Sequence, residues 1–544
     1  MSRCLRIFGA YSFRLTRKHS TILLSAAFIL TLTMVLQMYA SRHHEHPQPQ
    51  RSIGDFDYRP GAFLKGRQPG NISYCQFNYG LPNRLKWGTF PVLPSPETGS
   101  RSHYRVIYNA IKGVAFANIS KVDAVTYATQ ATPEFLYHVV EIAKYWNGPI
   151  SLAVYVPNYD LDIAMQILEQ LCYCYPFMGK VSVHLFFPTK TEPKIRSLKE
   201  RRMYFTPPPV TTTVASVTKR DAREIMRQKL ENYRKLNNKT RAQYIQRARK
   251  NKIERMMLKI PPSGFTVPNL KFEDCSGPNS DITTYRKSTA MLYPINVGRN
   301  VARNASTTNY FLVSDIEMVP SRGLAPKFLK MIRKLMGDKK RDSGCVFAKT
   351  VFVVPLFEVE RGEKIPHDKA TLIQMITNNR ATYFHQKVCA HCQRFPGLQT
   401  WLMRPSRNVL EPMIIAKREY PYHRWEPLYF GTNKEPWYSE TLFWEGLQDK
   451  MTQMLEMCLQ EYRMVVLDGG FLSHAASPKP KQRMKRAQVI NTSNYMKIIK
   501  WFKEKYEDRQ ECRLLWGCEY SFKKKYERRR YRIPETWYRG IAYF

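Results

Sequence analysis

The chain has 544 residues, with 86 Lys and Arg against 44 Asp and Glu and a formal net charge of +42. Its 43% hydrophobic and 13% aromatic content supplies enough apolar surface to offset chain entropy, which excludes a mostly disordered basic protein. The charge calls for an anionic ligand, membrane or polymer as partner without choosing among them.

Thr21 to Ala40 carries no formal charge; at about 30 Å as a helix it matches one hydrocarbon thickness, so it reads as a transmembrane signal anchor. Arg3, Arg6, Arg14, Arg17 and Lys18 precede it and only Arg42 follows closely, which puts Met1 in the cytosol and the rest in the lumen, a single-pass type II topology. A cleaved signal peptide is the competing reading, but the apolar run exceeds the usual ~7–15 residues and no small-x-small site follows. Residues 1–20 are then a cytosolic tail, 21–40 the membrane span, 41–115 a Pro-, Gly- and His-containing stem, and 116–544 the folded domain. Sequons at Asn71, Asn118, Asn238, Asn304 and Asn491 fit a secretory route, though several would arise by chance. Of the eleven cysteines, Cys4 is cytosolic in this topology and the other ten are compatible with disulfides, whose pairing stays open.

The folded part begins with a β-prone run at Ala124 to Thr129, then apolar residues at helical spacing from Pro133 to Trp146, closed by Asn147-Gly148-Pro149. Ile150 to Val156 repeats the strand signal, Asp160 to Leu171 the helix, and Val181 to Phe187 the strand. This alternation predicts an α/β domain with a parallel sheet. From about 190 to 277 the pattern breaks into a basic insertion, where Lys219 to Lys259 holds 15 Lys/Arg against 4 Asp/Glu. It reads as a solvated, partly helical segment or as a patch for an anionic surface. Tyr293 to Ala305 is helical, and Tyr310 to Val313 is a short strand running into Ser314-Asp315-Ile316-Glu317.

Alternate residues leaving a strand point the same way, so Asp315 and Glu317 could face one hard cation at the sheet's ligand-binding edge. An acid-x-acid triplet is also common in turns. Here a resemblance enters. Tyr293 to Ala302 (YPINVGRNVA), Phe311 to Ser321 (FLVSDIEMVPS), Trp146 to Leu152 (WNGPISL), Trp425 to Tyr429 (WEPLY) and Leu467 to His474 (LDGGFLSH), in that family's blocks, resemble the family 49 glycosyltransferases over roughly residues 120 to 510. That family includes the β-1,4-glucuronyltransferase of dystroglycan glycan synthesis and the second catalytic domain of LARGE-type enzymes.

The resemblance implies a GT-A (Rossmann-like nucleotide-sugar) fold, a UDP-sugar donor, and Mn²⁺ or Mg²⁺ held by Asp315, Glu317 and His474. It places Arg299 and Asn296 on a helix lining the donor site, with Thr129 at the end of the first strand. Glu440 matches the family's Asp-Glu-x-Phe block and is the expected base for the acceptor hydroxyl, with Glu426 and Asp449 the nearest alternatives in sequence. The chain departs from the family at Glu317 and Ser439, where Asp is common, and within Gly446-Leu447-Gln448-Asp449-Lys450. Cys389-Ala390-His391-Cys392 with His385 offers a zinc or redox alternative to disulfides. The implied function is inverting transfer of a sugar, glucuronate from UDP-glucuronate, to a glycan acceptor such as a xylose-terminated O-mannosyl glycan on a glycoprotein, in the Golgi membrane. A glycan-binding relative without turnover is the alternative. No nucleic-acid motif accompanies the charge, so no nucleic-acid partner is expected.

Overall fold

The computed structural model describes residues 73–197, 265–387, 393–476 and 485–506, apart from 83–84, 87–90, 271–274, 276–281, 338–346, 419–421 and 423, together with Cys512. The expected tail, membrane span, early stem, basic stretch and Cys389–Cys392 cluster lie outside the described residues. Among the described residues no helix is long and apolar enough to cross a membrane.

The predicted alternation is present and mixed α/β. Strands β4 (Val125–Ala131), β5 (Ile150–Tyr155) and β6 (Val181–Pro188) are parallel, joined through helices α1 (His138–Tyr145) and α2 (Asp160–Cys174). Every residue of β4 and β5 is buried, as expected of strands covered on both faces. After a short α3 (Tyr285–Ser288) and α4 (Ile295–Asn304), β7 (Tyr310–Val313) returns on the opposite side of β4, giving the order β6-β5-β4-β7. The chain therefore reverses direction across the sheet between β4 and β7, and such a switch point opens a ligand crevice at the strands' carboxyl ends.

Helices α1, α2 and α5 (Leu324–Met336) pack with Val125, Tyr127 and Leu152 on one face. On the other, α4 packs Val297 and Val301 against Ala128 and Tyr155. Gly298 permits this closeness: a Cβ there would stand 2.7 Å from Gln130 Cβ and 3.1 Å from Phe186 Cζ.

The expected domain start at 116 is too late. Strands β1 (Gln76–Phe77) and β2 (Leu93–Pro94) pair with β3 (Tyr104–Lys112), and β3 pairs antiparallel with β6. A Cys75–Cys172 disulfide ties this segment to α2. Val106, Ile107, Ala110 and Ile111 are buried, and their short apolar pattern was hidden by neighbouring Pro and Gly. Two further disulfides, Cys174–Cys275 and Cys458–Cys512, also form.

Beyond β7 the sheet turns mixed. Its strands are β9 (Thr350–Val354), β12 (Glu411–Ala416), β13 (Leu428–Gly431) and β14 (Arg463–Asp468), in the spatial order β7-β13-β9-β14-β12. A second sheet orders β11 (Ala381–Tyr383), β10 (Leu356–Val359), β15 (Leu472–Ala475) and β8 (Val319–Pro320) side by side. Helices α6 (Lys369–Thr377), α7 (Leu398–Met403), α8 (Met451–Leu459) and α9 (Lys485–Lys505) complete this half. Ser473 pairs with Val319, which carries His474 to the end of the acid-x-acid segment.

Candidate active site

Asp315 leaves the carboxyl end of β7 and meets cations. Its Oδ1 accepts from Arg299 Nη2 at 2.7 Å and Gln130 Nε2 at 2.9 Å, and its Oδ2 pairs with Lys450 Nζ at 3.2 Å. Burial alone would raise its pKa, but Arg299 and Lys450 hold the carboxyl well below the usual range. Reciprocally, Arg299 and Lys450 are raised against the opposing effect of burial. Arg299 also donates to Asn296 Oδ1 at 2.8 Å and to the Asp449 carboxylate, with its guanidinium 5.4 Å from the Tyr438 ring centroid.

Arg299 is thus a buried hub that aligns carboxylates. Asn296 is occupied as well: its Nδ2 donates to the carbonyls of Ser439 at 2.8 Å and Asp449 at 2.7 Å. Both expected donor-site residues of α4 stand at the crevice, but with their hydrogen bonds turned to protein partners. Thr129 differs. Its Oγ1, with Gln130 Oε1 and Thr132 Oγ1, is buried at the carboxyl end of β4 without a hydrogen-bond partner. Buried polar atoms left unpaired are costly unless a ligand or water satisfies them.

Glu317 turns to a different partner. Its Oε2 lies 3.1 Å from His474 Nε2, and although burial pushes upward, the His474 contact holds its pKa below the ordinary value. His474 Nδ1 is buried and unpartnered. His138, at the start of α1, lies near both groups; burial lowers its pKa and favours the neutral ring.

Oxygen and imidazole donors suit Mn²⁺ or Mg²⁺, and Glu317 and His474 are already together. The expected trio is nevertheless not assembled: no three His, Cys, Asp or Glu groups among the described residues converge as a ready cage. The physical reason is that Arg299 and Lys450 claim both oxygens of Asp315.

The expected base is corrected more sharply. Glu440 is buried, and its Oε2 accepts from Ser95 Oγ at 2.6 Å and Thr98 Oγ1 at 3.3 Å. Its Oε1 accepts from Glu97 N at 3.2 Å and Asn300 Nδ2 at 3.1 Å. Four donors fill the roughly four lone-pair sites of a carboxylate, leaving none for an incoming hydroxyl. Glu440 fastens the Ser95–Thr98 segment to α4. Glu426 stands otherwise: it makes no hydrogen bond among the described residues, and burial raises its pKa beside Lys450, Asp449, Arg418 and Arg299.

The sequence offered Asp449 as an alternative base and Lys450 only within a departing motif. Their adjacency of acid and base after a glycine turn was the available signal. His138, a lone histidine on an amphipathic helix, gave none.

A profile described as "Glycosyl-transferase for dystroglycan" matches residues 124–510. Beta-1,4-glucuronyltransferase 1 of Homo sapiens is 23% identical over 407 residues, 73% of this chain and 80% of that protein. The Bos taurus protein of the same name is 29% identical over 227 residues, 41% of this chain and 51% of its own length. Xylosyl- and glucuronyltransferase LARGE1 of Homo sapiens is 25% identical over 189 residues, 34% of this chain and 22% of that protein. With a strand-switch crevice, paired acids at its edge and a match across most of its length, the chain belongs to the family 49 glycosyltransferases.

Proposed function

We propose that this glycosyltransferase moves glucuronate from UDP-glucuronate, with inversion, to a hydroxyl of a glycan acceptor such as a xylose-terminated O-mannosyl glycan on a glycoprotein. The observation that carries the reading is the crevice between β4 and β7, where unpartnered Thr129 and Gln130 oxygens face the same strand edge as the Arg299–Asp315–Lys450 cluster. Nucleotide-sugar domains of the GT-A type place the donor at such an edge. The names of the relatives favour the glucuronyl donor.

Thr129 and Gln130 would hydrogen-bond the nucleotide, and Lys450 would offset charge on the diphosphate or on the sugar carboxylate. Glu317 and His474 would hold Mn²⁺ or Mg²⁺, which would supply charge neutralisation for the leaving diphosphate. The acceptor oxygen attacks the anomeric carbon as the bond to UDP breaks. Its proton passes to Glu426, whose unshared lone pairs and raised pKa make it the stronger base. Arg299 and Asn296 keep Asp315, Asp449 and the 439–449 backbone in register.

The three disulfides among the described residues and the exposed Asn118 and Asn304 sequons support a lumenal domain of a type II Golgi membrane protein. Asn491 is not such a site, because its amide is buried in hydrogen bonds to Phe443 and Leu447. Purified chain, Mn²⁺, a panel of UDP-sugars and a β-xyloside acceptor test the reaction by product mass. Glucuronate transfer is expected; transfer of another sugar in its place, or none from any donor, overturns it.

A further inference from the structure

Outside the donor crevice, a partly open cavity of about 180 Å³ lies between the 446–448 turn and α9. We infer that it is the subsite for a neutral terminal sugar ring of the acceptor glycan, an inference that rests on the transfer reaction proposed above. Leu447 and Gln448 form one wall, and Gln488, Asn491, Thr492 and Tyr495 of α9 form the other.

The wall is shared with the reaction centre. Asn491 Nδ2 donates to the Leu447 carbonyl at 2.9 Å, and Asn296 Nδ2 of α4 donates to the Asp449 carbonyl at 2.7 Å. The turn is therefore clamped from both sides. Only Gln448 separates the Leu447 wall from Asp449, whose carboxylate pairs with Arg299 beside Asp315. Leu447 and Gln448 are both held at positive φ, 62° and 59°. Consecutive non-glycine residues in this region are strained and persist only where the surroundings over-determine them, as at binding sites.

The chemistry of the lining selects the ligand. No charged side chain lines the cavity, in a chain of net charge +42, so a phosphate or uronate is a poor occupant. Gln448, Gln488 and Thr492 are half-buried, and their side chains make no hydrogen bond among the described residues. Each can both donate and accept, as a sugar hydroxyl does. Leu447 and Tyr495 supply apolar faces for the ring's C–H groups, and Trp444, 50% exposed, stands on the single turn ending at Gly446.

The test is the double variant Gln488→Leu/Thr492→Val in the full chain, assayed with UDP-glucuronate and a β-xyloside acceptor. Neither side chain hydrogen-bonds the Asp315 cluster or any other described residue. The acceptor KM should rise about tenfold, while UDP affinity and acceptor-independent hydrolysis of UDP-glucuronate stay within about twofold. An unchanged acceptor KM overturns the assignment. If the wild type shows neither transfer nor hydrolysis, the reaction fails instead, and β-xyloside binding by saturation-transfer NMR decides the site. Binding that the double variant loses sustains it; absent or unaltered binding overturns it.

Discussion

Asp315 and Glu317 are two residues apart on one strand exit, yet their surroundings are opposite. Asp315 is fixed as an anion by Arg299 and Lys450, whereas Glu317 has a single side-chain hydrogen-bond partner, His474. A triplet that looks symmetric in sequence is thus divided into a rigid electrostatic post and a looser carboxylate–imidazole pair. The division comes from distant segments: Lys450 from the turn before α8, and His474 from β15 of the second sheet.

Removing the post should have the largest effect. Asp315→Asn takes from two buried cations, Arg299 and Lys450, the carboxylate that both contact, and breaking a buried pair costs about 3–5 kcal/mol. Urea denaturation should register that loss and transfer should vanish. Glu317→Gln keeps a hydrogen-bonding partner for His474 and should cost about 1 kcal/mol. Equal losses for the two variants would erase the asymmetry.

The next contrast lies between Glu426 and Glu440. Glu426→Gln should slow transfer by roughly 10²- to 10⁴-fold with UDP binding retained, the signature of a lost base. Glu440→Gln should instead lower stability by about 1–3 kcal/mol, because its new amide donor opposes groups that already donate. A Glu440→Gln protein of native stability that binds UDP but no longer transfers would return the base to Glu440.

The parallel half of the fold was legible because its signals are local. The helix expected at Tyr293 to Ala305 forms as Ile295–Asn304, and the strand Tyr310 to Val313 appears with those bounds. Buried runs of β4 and β5 and the Asn147-Gly148-Pro149 stop are each read within a dozen residues. The partners in the site were not local. Asp315 is separated from Lys450 by 135 residues and Glu440 from Ser95 by 345, so no periodicity could show which acid is neutralised and which is saturated. The mixed strands past β7 were missed for the same reason: strands of four to six residues carry little pattern, and their pairing is set by tertiary contact.

A last contrast concerns histidines. His474 faces the crevice, but His184 on β6 is fully buried, its Nδ1 accepting from Asn109 N at 3.0 Å and its Nε2 lying 3.1 Å from Ser151 Oγ. These contacts fix the neutral ring with its proton on Nε2, and burial lowers its pKa from 6.5 to about 3. Between those values the unfolded chain binds a proton that the native state refuses, so stability falls as pH drops through about 6.5 toward about 3 and is flat above that window. The slope from this one group is at most about 1.4 kcal/mol per pH unit. His184→Gln can still accept from Asn109 without titrating, so its stability should fall less than that of the wild type between about pH 7 and pH 5 in urea titrations. Parallel pH profiles for the two proteins would mean that the native state takes up the proton at His184, and the dry, neutral assignment would fail.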